Sequence, residues 1–237
     1  MNNHQPIIQT KKVTRVYDEL AVPVRAVDGV SLTVEAGEFT ALVGPSGSGK
    51  TTLLNLIGGL DHPTSGKVWV NGVDISAMKR NKLIDFRLHN IGFVFQAYNL
   101  IPVLTAKENV EFVMLLQKRP KEERERRVRE LFREVDLEDR MDNRPSELSG
   151  GQQQRVAVAR ALASKPKFVL ADEPTANLDS KSAENLLDMM ARLNQEENMT
   201  FIFSTHDQRV IDRARRVVQL VDGQISSDVA QESVVAR

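Results

Sequence analysis

The segment Gly44–Thr52 constrains the fold and the function more than any other part of the sequence. It has the spacing G-x-x-x-x-G-K-[ST] and lies between an apolar run at 39–43 and another at 53–57. This is the pattern of a phosphate-binding loop between a buried strand and a helix. Its glycines let backbone N–H groups point inward, and the helix start adds unpaired donors and a positive dipole end. The sequence therefore predicts a strand over 39–43, a helix over 50–60 and a nucleoside triphosphate bound between them.

Two side chains of this loop have predicted roles of their own. Lys50 carries a positive charge suited to the β- and γ-phosphates, and the Thr51 hydroxyl is suited to hold Mg²⁺. A Gly/Ser-rich surface turn is the alternative interpretation, but the flanking apolar runs supply the context that the motif requires. The residues predicted to bind nucleotide here are Gly44, Pro45, Ser46, Gly47, Ser48, Gly49, Lys50, Thr51 and Thr52.

Composition excludes several classes of function. A length of 237 residues suits one large α/β domain, with or without an inserted subdomain. The 32 basic residues balance 32 acidic ones, so net charge does not favour nucleic acid as a partner. The absence of cysteine excludes disulfides and Cys-ligated zinc. No apolar run approaches about 18 residues and residues 1–5 lack a signal-peptide pattern, so we expect a cytosolic protein that reaches a membrane only through a partner.

The remaining pattern divides the chain into strand-rich and helical parts. Residues 6–36 carry β-branched and alternating runs that are typical of an antiparallel sheet. Between 97 and 160 such runs disappear and helical periodicity takes over, so we predict one domain over 1–237 with a helical subdomain inserted at about 97–160. Its segment 121–134 alternates acids and bases around one apolar stripe, as a solvated helix face does. Further strands are predicted at 67–70, 91–95, 168–171, 200–203 and 217–221, with a turn at 222–223 and a polar tail.

Two acids, Asp172 and Glu173, directly follow the predicted strand at 168–171. The carboxyl ends of strands are where α/β sheets bind their ligands. Asp172 fits the acid that holds Mg²⁺ in phosphate-loop enzymes, which leaves Glu173 as a general base for the attacking water. A solvated acidic pair is the alternative, and it would be preferred if the phosphate-binding loop were absent.

A second helix start suited to phosphate lies at Leu148-Ser149-Gly150-Gly151-Gln152, before an Ala-rich helix former. Ser149 is a natural N-cap. Two glycines in the first turn lower helix stability, so their presence indicates close approach of the backbone to a ligand. A helix start weakened by glycine is the alternative, and it explains one glycine better than two.

Three single residues are ambiguous from local sequence. Tyr17 can stack on an adenine base, although an ordinary strand aromatic is the favoured interpretation. Gln96 follows a predicted strand, where a lone glutamine is usually a turn residue. His206 ends the strand at 200–203, which is expected to neighbour the acid-bearing strand, but a lone histidine there is usually structural.

The complete set of motifs, in this order, resembles the ATP-binding domain of an ABC transporter over essentially the whole chain. The matching parts are the Walker A loop at 44–52, the Q-loop at Gln96, the signature segment at 148–152, Walker B at 168–173, the D-loop at 176–179 and the switch histidine His206. The resemblance implies an α/β fold: a P-loop NTPase (RecA-like) core with an N-terminal antiparallel β subdomain and an inserted α-helical subdomain.

The resemblance also implies a homodimer that forms on ATP binding. ATP on the loop of one copy would be covered by Ser149, Gly150 and Gly151 of the other, and Asp179 would lie at the dimer seam. The two helix N-termini suited to phosphate, one at the Walker A loop and one at the signature segment, are distant in the sequence but can meet in this way across a two-fold interface.

Within the same resemblance, ATP and Mg²⁺ are the implied cofactors. Glu173 would polarise water, His206 would contact the γ-phosphate, and Gln96 would reach Mg²⁺. The implied catalytic residues are Glu173 and His206, and the implied metal-binding residues are Thr51, Gln96 and Asp172. Outside the loop, the implied nucleotide-binding residues are Tyr17, Gln96, Ser149, Gly150, Gly151, Gln152 and Asp179.

Segments 54–66 and 91–102 are similar to the branch of this family that serves lipoprotein release, macrolide efflux and antimicrobial-peptide export. This similarity implies an ATPase bound peripherally, through an integral membrane permease, to the inner face of the cell membrane. Glu111-Phe112-Val113 departs from the Leu-Pro that many relatives carry, in a segment near the expected docking site of the permease.

The sequence leaves two alternative functions open. A related ATPase of DNA repair or translation usually has long coiled-coil insertions, zinc motifs or a second cassette, and none is present in this sequence. A cell-division-type complex, which regulates a wall enzyme without transport, is hardly separated from an exporter by sequence.

Overall fold

The computed structural model describes residues 5–18 and 22–231, and the interpretations of residues 1–4 and of the tail beyond 231 lie outside this part. The strands are β1 (Ile8–Tyr17), β2 (Val24–Val30), β3 (Thr33–Val34), β4 (Phe39–Val43), β5 (Ser65–Val70), β6 (Val73–Asp74), β7 (Ile91–Val94), β8 (Phe168–Asp172), β9 (Thr200–Ser204), β10 (Arg216–Val221) and β11 (Gln224–Ala230). The helices are α1 (Lys50–Ile57), α2 (Arg80–Asn90), α3 (Ala106–Leu116), α4 (Lys121–Glu134), α5 (Gly150–Ala163), α6 (Ser180–Glu197) and α7 (Gln208–Arg213).

The larger sheet has the strand order β11-β10-β4-β9-β8-β7, and every pair except β10–β11 is parallel. Successive side chains of its central strands point to opposite faces of the sheet, and each face packs in a different cluster of buried side chains. Phe201 and Phe203 pack with α3–α6, whereas Ile202 packs with α1 and the N-terminal strands. Both faces of the sheet are therefore covered, which explains why its strands read as continuous apolar runs.

The strand order also places the site. β4, β9 and β8 are adjacent and parallel, so their carboxyl ends lie side by side. The segments that follow these three strands therefore lie next to one another. Those segments are the phosphate-binding loop, the segment carrying His206 and the acid Glu173. The predicted α/β fold and the predicted pairing of the His206 strand with the acid-bearing strand are both confirmed, because Asp172 lies opposite Ser204.

The smaller sheet is antiparallel, with the order β2-β1-β5-β6 and β3 paired to β1. It confirms the antiparallel prediction for 6–36 and the strand predicted over 67–70, which pairs with β6 as a hairpin. Its inner face shares one cluster of buried side chains with α1, as Val13, Val27 and Leu53 show. The sheet thus holds the helix that begins at the phosphate-binding loop.

Helices α3, α4 and α5 follow β7, and no strand forms from Phe95 to Lys167, all of which the structure describes. The predicted stripe on α4 is confirmed, since Val128, Leu131 and Phe132 are buried. These three helices pack in the same cluster as α6.

Three elements differ from the sequence-based prediction. α1 was predicted to reach residue 60 but ends at Ile57, where Gly58 donates back to the Leu54 carbonyl. The predicted polar tail instead forms β11, because Asp222 and Gly223 both adopt left-handed conformations that suit a tight hairpin. α2 was not predicted, and Leu83 is its one buried residue, so it carries no apolar periodicity.

Candidate functional site

The phosphate-binding loop ends at an uncapped helix start. Gly49 is the N-cap of α1, no side chain caps the helix, and its first turn holds no acid. Its first N–H groups are therefore free for an anion. Gly49 has φ 98°, and a Cβ there would lie 2.1 Å from the Ala26 carbonyl oxygen, so this position requires glycine.

Lys50 and Thr51 extend the loop with a cation and a hydroxyl. The buried Lys50 ammonium donates to the carbonyl oxygens of Gly44 at 2.8 Å and Pro45 at 3.1 Å, which holds the charge against the loop. Thr51 Oγ1 donates to Asp172 Oδ1 at 3.0 Å, so α1 and β8 meet at this pair.

The donor set around Thr51 and Asp172 fits Mg²⁺. Both side chains offer hard oxygen ligands, which this ion prefers. Over 5–18 and 22–231, no group of three or more His, Asp or Glu side chains is placed to hold a metal. The chain thus supplies only part of the ligand set, as is usual for Mg²⁺ sites in which water and phosphate oxygens provide the remaining ligands.

Glu173 and His206 form the polar centre beside the loop. His206 Nδ1 lies 2.8 Å from Glu173 Oε1, and Thr205 Oγ1 donates to Glu173 Oε2 at 3.4 Å. An ionised carboxylate only accepts hydrogen bonds, so Nδ1 carries the hydrogen in this contact. The Glu173 side chain is 16% exposed and that of His206 is 74% exposed. Glu173 has φ 45°, a conformation that costs free energy and is held by its N–H bond to Ser204.

These groups surround one open cavity of about 670 Å³. It is lined by Tyr17, Val24, Ala26, the whole of Gly44–Thr52, Gln96, Glu173 and His206. Arg15 packs over the Tyr17 ring at 4.4 Å, and Tyr17 Oη donates to Asp61. Sequence reasoning missed Val24 and Ala26, because ordinary strand residues carry no polar or glycine signal.

The signature segment lies elsewhere in the same chain and does not line this cavity. Ser149 caps α5 in a capping box with Gln152, which confirms its prediction as an N-cap. A Cβ on Gly150 would lie 2.8 Å from Tyr98 Oη, and one on Gly151 would lie 2.8 Å from Ser182. Within one chain, the close approach that these glycines permit is therefore to neighbouring side chains.

Asp179 also lies apart from the cavity lining. It caps α6, and hydrogen bonds from the hydroxyl and N–H of Ser182 lower its pKa. Since Gly151 approaches the same Ser182, the signature segment and the D-loop form one continuous surface.

The Q-loop and the D-loop are joined by a residue that sequence reasoning did not single out. Asn177 Nδ2 donates to the Gln96 carbonyl oxygen at 2.9 Å, and Tyr98 Oη donates to the Asn177 carbonyl oxygen at 3.3 Å. Burial raises the pKa of Tyr98, so its hydroxyl stays protonated and available as a donor.

A second depression, the apolar groove, lies between α2, β7 and the helices α3 and α5. Its volume is about 380 Å³. It is lined by Leu60, Ile84, Arg87, Leu88, Ile91, Gly92, Phe93, Phe95, Asn99, Val113, Arg160, Ala161 and Ser164. Leu60 and Ile84 are exposed there, and Leu115 and Leu116 of α3 are exposed as well. Among the helices within residues 5–18 and 22–231, none combines the length and the hydropathy that a membrane span requires.

Comparison with known proteins gives a consistent result. A family model for the ABC transporter matches residues 27–176. The lipoprotein-releasing system ATP-binding protein LolD 1 of Chlorobium chlorochromatii is 48% identical over 203 residues, which are 85% of this chain and 82% of that protein. The macrolide export ATP-binding/permease protein MacB of Hyphomonas neptunium is 46% identical over 98% of this chain, which spans only 36% of that protein.

A solved structure agrees with these relatives. The ATP-binding cassette MJ0796 of Methanocaldococcus jannaschii was solved as a dimer in a post-hydrolysis state bound to ADP and Pi. It superposes with a TM-score of 0.88 and 41% identity, over 95% of this chain and 99% of that one.

Proposed function

The chain belongs to the ABC transporter family as an ATP-binding, ATP-hydrolysing subunit, and on this premise we propose which of its residues bind ATP and which act in its hydrolysis. The observation that carries the proposal is the convergence of the phosphate-binding loop, Glu173 and His206 on one cavity. The loop and Lys50 bind the phosphates of ATP, and the Tyr17 ring receives the adenine.

Hydrolysis is proposed to use Glu173 as the general base. Its carboxylate accepts a proton from the water that attacks the γ-phosphorus, while the bond to the β–γ bridging oxygen breaks and leaves ADP and phosphate. His206 holds Glu173 through Nδ1, and its ring is proposed to contact the γ-phosphate, where Nε2 can donate only when both ring nitrogens carry hydrogen. Thr205 fixes the second carboxylate oxygen, so the base has one preferred orientation.

Thr51 and Asp172 are proposed to hold Mg²⁺, and Gln96, which lines the same cavity as Thr51, is proposed to reach it. The ion would neutralise charge that develops on the phosphate oxygens. Asn177 holds the backbone of Gln96 and thereby positions its side chain.

Two copies are proposed to close on ATP, with Ser149, Gly150 and Gly151 of one copy covering the nucleotide of the other. The separation of the signature segment from the cavity of its own chain supports this arrangement. Asp179, on the same surface as Gly151, would then lie at the dimer seam.

The apolar groove is proposed to receive an integral membrane permease of a lipoprotein, lipid, peptide or antibiotic exporter. The support is its exposed Leu60 and Ile84, together with relatives named for lipoprotein release and macrolide export. The chain would then lie on the inner face of the membrane through that partner.

Affinity purification of the chain from detergent-solubilised membranes, followed by mass spectrometry, tests this part. We expect a stoichiometric permease with wild type and with Val229→Glu, but not with Ile84→Glu. Val229 is 55% exposed on β11, at the edge of the larger sheet opposite β7, so it is a matched control for Ile84 at 46% exposure. Recovery without any membrane partner, or equal recovery with both variants, would contradict the proposed docking.

A further inference from the structure

One buried amide in α5 contacts both the loop that carries Glu173 and the loop that carries Gln96. Gln154 lies one turn into the helix that starts at the signature segment, and it is fully buried. Its Nε2 donates to the Pro174 carbonyl oxygen at 2.9 Å and to the Phe95 carbonyl oxygen at 3.4 Å. Pro174 directly follows Glu173, and Phe95 directly precedes Gln96.

The surroundings of Gln154 do not favour a role in stability alone. Its Oε1 is buried and has no hydrogen-bond partner within the described residues. An unpaired buried carbonyl costs free energy that an apolar side chain of the same size would avoid. The amide is therefore explained by what its donor group holds.

Arg160 attaches α5 to the same loop at a second point. Its guanidinium donates to the carbonyl oxygen of Tyr98 at 2.8 Å and to that of Asn99. Tyr98 and Asn99 have φ of 55° and 51°, left-handed conformations that need external support. The loop that contains Gln96 is thus fixed to α5 on both sides, so it follows any movement of this helix.

We propose that Gln154 is a positioning residue that transmits the position of the signature segment to Glu173 and Gln96 of its own copy. The inference rests on the proposed dimer, in which the signature segment contacts nucleotide held by the partner copy. When that contact shifts α5, Gln154 carries the backbone at Pro174 and Phe95 with it. Cleavage at one site then depends on occupancy of the other.

Gln154→Met tests the inference, because it removes the donor and fills the buried volume with an unbranched side chain. We expect kcat for ATP to fall by about tenfold or more, since small misplacements of catalytic groups are costly. The ATP concentration for dimer formation, measured by light scattering in a Glu173→Gln background, should stay within about twofold, because Gln154 does not line the cavity.

Gln117→Met is the matched control. Gln117 Nε2 also bridges two carbonyl oxygens, those of Leu88 at 2.9 Å and Ser164 at 3.3 Å, but neither belongs to a catalytic loop. It should lower thermal stability at least as much and leave kcat near the wild-type value. Equal kcat in the two variants, or a parallel loss of dimer formation and kcat in Gln154→Met, would overturn the proposal.

Gln154→Glu keeps the size and gives a second readout if the Met variant fails to fold. Burial and the facing carbonyl oxygens raise the pKa of such a carboxyl, and it donates only when protonated. Its kcat relative to wild type should rise as pH falls from about 9 to about 6. A ratio of the two kcat values that does not change with pH would overturn the inference. A wild-type chain that neither hydrolyses ATP nor dimerises would instead refute the proposed function.

Discussion

Asp207 shows how a residue outside the cavity supports the residues inside it. Hydrogen bonds from Arg209 lower the pKa of Asp207 from 3.8 to about 2, against the opposing effect of burial. Its Oδ2 also accepts from the Thr175 hydroxyl at 2.7 Å. The segment after His206 is thereby tied to the segment after Glu173.

We predict that Asp207→Asn lowers the free energy of unfolding by about 2 kcal/mol at neutral pH, the equivalent of the lowered pKa. A carboxylate with a depressed folded-state pKa stabilises above its unfolded pKa and loses this effect as pH falls through the folded value. Urea titrations should therefore show the difference from wild type shrinking between about pH 4 and pH 2. A difference that does not change over this range would contradict the assignment.

Two loop glycines allow a test of the local geometry. A Cβ at Gly49 would meet the Ala26 carbonyl oxygen, whereas one at Gly47, also at positive φ, would have no atom within 4 Å. Gly47→Ala should cost about 1 kcal/mol of stability from backbone strain alone. Gly49→Ala should cost clearly more in the same urea titration, and equal losses would show that the contact at Ala26 relaxes without cost.

At the scale of single residues, local sequence could predict the phosphate-binding loop but not the roles of Tyr17, Gln96 and His206. Each is an ordinary residue type at a strand end, and its proximity to the loop depends on strand order. Gln154 and Asn177 carried still less signal, because their contacts are to backbone carbonyls far along the chain.

At the scale of elements, α3 and α5 begin in the same way and have different proposed roles. Thr105 with Glu108, and Ser149 with Gln152, each form a capping box in which both reciprocal bonds are present. The two cap hydroxyls accept from the third helical N–H at the same distance, 3.3 Å. Substitutions of Thr105 and Ser149 can therefore be compared to separate the effect of losing a helix cap from the effect of losing a nucleotide contact.

Thr105→Ala and Ser149→Ala should each lower the free energy of unfolding by about 1 kcal/mol. Only Ser149→Ala should also raise the ATP concentration needed for dimer formation, since only this cap is proposed to contact nucleotide. Equal dimer formation in the two variants would contradict the proposed contact.

Element prediction succeeded where consecutive residues are buried and failed where few residues are buried. The strands β4, β8 and β9 are buried on both faces and were predicted, whereas α2 buries only Leu83 and β11 exposes most of its polar residues. Packing on β10 makes β11 a strand, and a single strand's sequence does not reveal its neighbour.

In the whole molecule, the two segments proposed to bind phosphate lie apart from each other. The phosphate-binding loop faces one cavity, and the signature segment lies outside that cavity beside the D-loop. Under the proposed function, each chain would contribute one half to each of two nucleotide sites, and a second copy would complete both.

The most direct test is the mass of the Glu173→Gln chain in solution with Mg²⁺ and ATP, measured by light scattering. This substitution keeps the size of the side chain and removes the base, so turnover should fall by about a hundredfold or more while ATP stays bound. We predict a dimer with ATP and a monomer with ADP. A Glu173→Gln chain that binds ATP and remains monomeric, or one that hydrolyses ATP at the wild-type rate, would contradict the proposed function.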